Sequence, residues 1–121
     1  MIRFCHNNFN VFDIEKSLKF YDEALGLKPV REKMAGDGSG KLTFLGDGIT
    51  GFTLELTSLF DREEPYHTGD NEAHLAFVTD AFDALHEKHK KMGIITRESE
   101  IMGLYFISDP DGNLIEILPV R

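Results

Sequence analysis

Two stretches of this chain repeat one order of signals. Each opens on an aspartate, carries apolar residues at helical spacing and stops at a glycine: Asp13 to Gly26 and Asp80 to Gly93, thirteen positions in both. In "DIEKSLKFYDEALG" the residues Ile14, Leu18, Tyr21 and Leu25 share one helix face. Asp13 and Asp80 are suited to cap the open amides of a first turn, and the glycines to end the last one. A histidine in a strand-like run precedes each helix, seven positions before Asp13 (His6) and six before Asp80 (His74). Further strand-like runs follow, and the last of each set holds a central glutamate: Glu55 in "GFTLELTS" and Glu116 in "NLIEILPV". The order predicts an α+β chain built from two tandem βαβββ modules, at about residues 1–60 and 70–121, within a single domain. The polar run "LFDREEPYHTGDN" reads as the linker between them.

The strands follow from alternation and turn signals. Ile2 to Phe12 reads as the first, "LKPVREKM" as a short second, and "KLTFLGDG" with "GITGFTLELTS" as a hairpin turning near "GDG". Phe52, Leu54 and Leu56 would face one side, with Thr53, Glu55 and Thr57 on the other. In the second half "EAHLAFVT", "ITRESEIM", "GLYFIS" and "NLIEILPV" are the strands, with "DPDG" as the last turn.

Bulk properties exclude several classes. A chain of 121 residues with a net charge of −8 lacks the basic surface that nucleic acid or an anionic membrane requires. No apolar run approaches the ~20 residues of a membrane span. A single cysteine leaves no intramolecular disulfide and fits a reducing compartment. The expectation is a soluble cytoplasmic domain. No Gly-x-Ser-x-Gly motif or phosphate-cradling loop is present.

Glu116 is the residue that most needs an explanation, because it stands between Ile115 and Ile117 in an apolar run. A desolvated carboxylate requires water, a partner or a metal. Taken alone, Glu55 reads as a solvent-facing residue of an alternating strand, and His6 and His74 as hydrogen-bonded core histidines. Taken together, His6, Glu55, His74 and Glu116 give one imidazole and one carboxylate per half, a donor set suited to nickel, cobalt, zinc, manganese or iron. Two carboxylates would also neutralise the charge of a divalent ion. His86 and His89, three apart on one helix face, are a weaker zinc pair and read as a solvated last turn that complements the helix dipole. Cys5 reads as a small buried residue.

The strings "HNNFNVFDIEKSLKFYDEALGLKPV", "GFTLELT", "AHLAFVTD" and "SDPDGNLIEIL" resemble, in order and over nearly the whole chain, the glyoxalase I (lactoylglutathione lyase) family of the vicinal oxygen chelate superfamily. The resemblance implies a partial barrel of paired modules framing a metal held by His6, Glu55, His74 and Glu116. It implies nickel or cobalt for a chain this short, with zinc as the alternative. It also implies a homodimer, although some relatives pair their modules within one chain. The implied reaction is isomerisation of the hemithioacetal of methylglyoxal and a thiol to an S-lactoyl thioester. Glu116 would be the main base, and Glu55 would serve the other substrate enantiomer. Glutathione-using relatives carry Arg and Asn where this chain has Asn10 and Leu59, so the resemblance leaves the thiol open. A non-catalytic binding or resistance protein on the same fold, an epimerase and a dioxygenase are the other readings.

Overall fold

The computed structural model describes residues 1–121, which divide into two compact units, Met1–His67 and Thr68–Arg121. In the first, β1 (His6–Asn10) leads into α1 (Ile14–Leu25), followed by β2 (Lys28–Met34), β3 (Gly40–Gly46) and β4 (Thr53–Leu59). In the second, β5 (His74–Thr79), α2 (Phe82–Met92), β6 (Ile95–Ser99), β7 (Leu104–Ser108) and β8 (Leu114–Pro119) repeat that order. The sheets are ordered β1-β4-β3-β2 and β5-β8-β7-β6. The fold is α+β, and each sheet is mixed: the first strand runs parallel to the last and the other pairs are antiparallel.

Asp13 caps α1 as its position predicts, its carboxylate accepting from the Lys16 amide at 3.2 Å. Gly26 and Gly93 end the two helices at φ 68° and 71°, a region in which a Cβ is costly. Asp80 is not the cap of α2. Ala81 occupies that position without a side-chain hydrogen bond, and the preceding turn is held by Thr79 Oγ1, which accepts from the Ala81 amide at 3.0 Å. With Ala81 as the cap, the histidine-to-cap spacing is seven in both modules (His6 to Asp13, His74 to Ala81). The second helix is one residue shorter than the first, 11 against 12.

Alternation along the strands separates two faces. In the first module Leu54 and Leu56 of β4 and Thr43 and Leu45 of β3 are buried together with Tyr21 and Ala24 of α1. In the second, Ile115 and Ile117 of β8 are buried with Tyr105 and Ile107 of β7 and His89 of α2. His89 is therefore a core residue and not a solvated one: its Nδ1 lies 2.9 Å from the Tyr105 hydroxyl. Burial raises the pKa of that phenol, so it stays neutral beside the imidazole. His86 pairs with Glu98 of β6, tying α2 to the sheet. Both histidines pack edge-on against the Tyr105 ring, at 4.9 and 5.8 Å, while their polar partners differ.

The turn before β8 is built around Asp109, which is 5% exposed. Its carboxylate accepts from the amides of Asp111 (3.0 Å) and Asn113 (2.8 Å) and from Asn113 Nδ2 (3.0 Å). Bonds to a charged acceptor contribute more than neutral ones, and removing it strands buried amides. Asp109→Ala is expected to lower unfolding free energy by about 2–3 kcal/mol in urea titration. A loss below about 0.5 kcal/mol would show that the turn holds without the carboxylate.

Candidate metal-binding half-sites

Each module brings its predicted histidine and glutamate together. His6 opens β1, and two residues on, Asn8 is the register partner of Glu55 on β4. His74 opens β5, and two residues on, Ala76 is the register partner of Glu116 on β8. Parallel pairing of first and last strand therefore sets each histidine on the diagonal from its glutamate, on the same sheet face. The resulting geometry repeats closely. His6 Nε2 is 3.8 Å from Glu55 Oε1, with side-chain exposures of 39% and 14%. His74 Nε2 is 3.8 Å from Glu116 Oε1, with exposures of 40% and 15%.

That exposure answers the question posed by the apolar run in β8. Ile115 and Ile117 point into the core, while Glu116, between them, emerges on the opposite face beside a histidine. Neither His6 nor His74 is a core residue. At 3.8 Å the two donor atoms are too far apart to share a proton in a hydrogen bond. Nitrogen and oxygen ligands each sit ~2.0–2.2 Å from a first-row divalent ion, so donors of one ion stand up to ~4 Å apart. Both pairs fit that span. No group of three or more candidate metal-binding side chains occurs; each half-site holds one histidine–glutamate pair.

The sheets add residues that the sequence reading missed. Across the first sheet, register partners run Asn8, Glu55, Phe44, Arg31; across the second they run Ala76, Glu116, Phe106, Arg97. Each phenylalanine meets its histidine edge-on, at 5.8 Å in the first module and 5.3 Å in the second. Each arginine lies over the same ring, at 4.8 and 5.5 Å. A register shift just before each arginine, between Pro29 and Arg31 and between Ile95 and Arg97, returns it to the site face. The sequence signal was faint: an arginine and a phenylalanine on adjacent strands, thirteen apart in one half and nine in the other.

In the first module a cavity of about 330 Å³ includes His6, Glu55, Phe44, Arg31, Lys33 and Cys5. Cys5 is exposed there, which corrects the expectation of a buried thiol. It immediately precedes β1, which starts at His6, and its carbonyl accepts from the Thr53 amide of β4 at 3.2 Å. Asn10 ends β1 opposite Thr57, and Leu59 ends β4 opposite Gly40. Neither helix is long and apolar enough to cross a membrane.

Comparison with known proteins agrees with this architecture. The lactoylglutathione lyase of Neisseria meningitidis is 35% identical over 97% of this chain and 90% of its own length. The trypanothione-dependent glyoxalase I of Leishmania major superposes with a TM-score of 0.86 at 30% identity, over 98% of this chain and 87% of that one. Glyoxalase I of Zea mays gives 0.80 at 32% identity, over 95% of this chain and 43% of the longer maize chain. The family description Glyoxalase/Bleomycin resistance protein/Dioxygenase superfamily matches residues 3–117. By its fold, its extent of match and its relatives, the chain belongs to the glyoxalase I family of that superfamily.

Proposed function

We propose that the chain is a lactoylglutathione lyase-type enzyme that isomerises the hemithioacetal of methylglyoxal and a thiol to an S-lactoyl thioester. The observation that carries the reading is the duplicated His–Glu pair, set at the same register and the same 3.8 Å in both modules. His6, Glu55, His74 and Glu116 are the proposed ligands of one divalent ion, nickel or cobalt in preference to zinc. Their two carboxylates match its charge, and four protein donors leave positions for substrate oxygens. When bound, the ion supplies Lewis-acid stabilisation of the negative charge that develops on those oxygens.

The chain's own groups do the remaining work. Glu116 takes the proton from one carbon of the hemithioacetal and returns it to the adjacent carbon, so the net change is an internal transfer of hydrogen with no external oxidant. Glu55 stands in the matching place for the opposite enantiomer. Phe44 and Phe106 fix the imidazole planes and cover the inner edge of each half-site. Arg31 and Lys33 give the cavity wall positive charge, suited to an anionic thiol, in a chain of net charge −8. We place the enzyme in the cytoplasm as a homodimer.

The test is isomerase activity on methylglyoxal with glutathione, using metal-stripped protein reloaded separately with nickel, cobalt and zinc. One ion per chain and turnover that requires it are the expected results. Failure to take up any of the three metals overturns the reading. Uptake without turnover on glutathione or other thiols would instead indicate a binding protein.

A further inference from the structure

The two half-sites agree at three of four register positions and differ at the fourth. Glu55, Phe44 and Arg31 correspond to Glu116, Phe106 and Arg97, whereas Asn8 stands where the second module has Ala76. The orientation of the Asn8 carboxamide is assigned from its surroundings. An amide oxygen set against the Glu55 carboxylate would be repelled, so the nitrogen faces it. In that orientation Asn8 Nδ2 donates to Glu55 Oε1 at 2.9 Å and to Thr57 Oγ1 at 2.6 Å, with the Glu55 carbonyl at 3.2 Å. Asn8 Oδ1 then lies 2.8 Å from the Asn10 carboxamide, which donates to it when turned with its nitrogen inward. Ala76 offers only a methyl group to Glu116.

We infer that Asn8 is a positioning residue that holds Glu55 in its ligand position more firmly than Glu116 is held, which makes the two half-sites unequal. The inference rests on the ligand assignment proposed above. A carboxylate that already accepts an amide N–H from a neighbouring strand loses that bond when it swings away. Glu116 faces no such cost. Hydrogen-bond partners of this kind orient a ligand before the ion arrives, and their loss typically weakens metal affinity by about 10–100-fold. Asn8 is itself exposed, so its replacement removes a bond without opening the core.

Two variants of the full chain test this. Asn8→Leu keeps the branched outline of the side chain and removes the donor. Ala76→Asn gives Glu116 the donor that it lacks. Nickel affinity is read by competition with a chromophoric chelator, independently of turnover, with circular dichroism as the check on folding. Asn8→Leu is expected to weaken nickel binding by about 10-fold or more. Ala76→Asn is expected to lower kcat by about 10-fold with KM within about twofold, a split that a general loss of structure would not produce. Nickel affinity of Asn8→Leu within twofold of the parent, or an unchanged kcat in Ala76→Asn, overturns the inference while the ligand assignment stands. A parent chain that takes up no nickel, cobalt or zinc brings down the assignment and the inference with it.

Discussion

Glu116→Gln is expected to lower kcat by about 10²- to 10⁴-fold, measured at saturating nickel with metal content verified. Glutamine keeps the length and outline of the side chain but has no oxygen that takes up a proton near neutral pH. The backbone has little reason to move, because Ile115 and Ile117 on either side are fully buried and hold β8 against β5 and β7. Stability should therefore stay within about 0.5 kcal/mol of the parent, as for other substitutions that leave packing and buried bonds intact. Glu55→Gln should cost less in kcat than Glu116→Gln, since the Asn8 amide can still donate to the remaining oxygen. Parental kcat in metal-loaded Glu116→Gln would remove Glu116 from the role of base.

One position further on, the opposite outcome is expected. Ile117→Ala should cost about 2–5 kcal/mol of unfolding free energy while the activity of each folded, metal-loaded molecule survives. Ile117 is 0% exposed and lies between register partners Phe77 and Tyr105 in the middle of the second sheet. Truncation leaves a cavity that the sheet backbone has little room to close. In urea the midpoint should fall with the slope unchanged, because the surface exposed on unfolding is nearly the same. A loss under about 1 kcal/mol would mean that this part of the core relaxes around the gap.

The contrast between two adjacent residues shows which parts of the molecule are legible in a single sequence. Element order could be read because each signal acts locally: Asp13 bonds an amide three residues away, and Gly26 and Gly93 take the left-handed turn that ends a helix. Alternation in β4 and β8 likewise told the core face from the site face. Asp80 misled because an aspartate before a helix competes with its neighbours for the capping position, and Thr79 settled the turn first. His89 misled because its neighbours Lys90 and Lys91 are polar, while its own direction is set by Tyr105, sixteen residues away on β7. The phenylalanine–arginine stacks were hidden for a similar reason. Their alignment depends on strand register and on a bulge, and the connection from Arg to Phe differs in length between the halves.

In each module the proposed metal ligands come from the first and the last strand, which pair with each other, although 49 residues separate His6 from Glu55 and 42 separate His74 from Glu116. During synthesis the first half-site thus becomes complete once Leu59 has been added, and the second waits for β8. Ion binding rewards only a fully threaded module, since an unfolded segment between the two strands leaves histidine and glutamate apart. Cleavage anywhere between β1 and β4 that lets β4 dissociate would unmake the first pair without altering either side chain. Resistance to protease, compared with and without nickel, therefore reports the integrity of a site from bonds far from it in sequence.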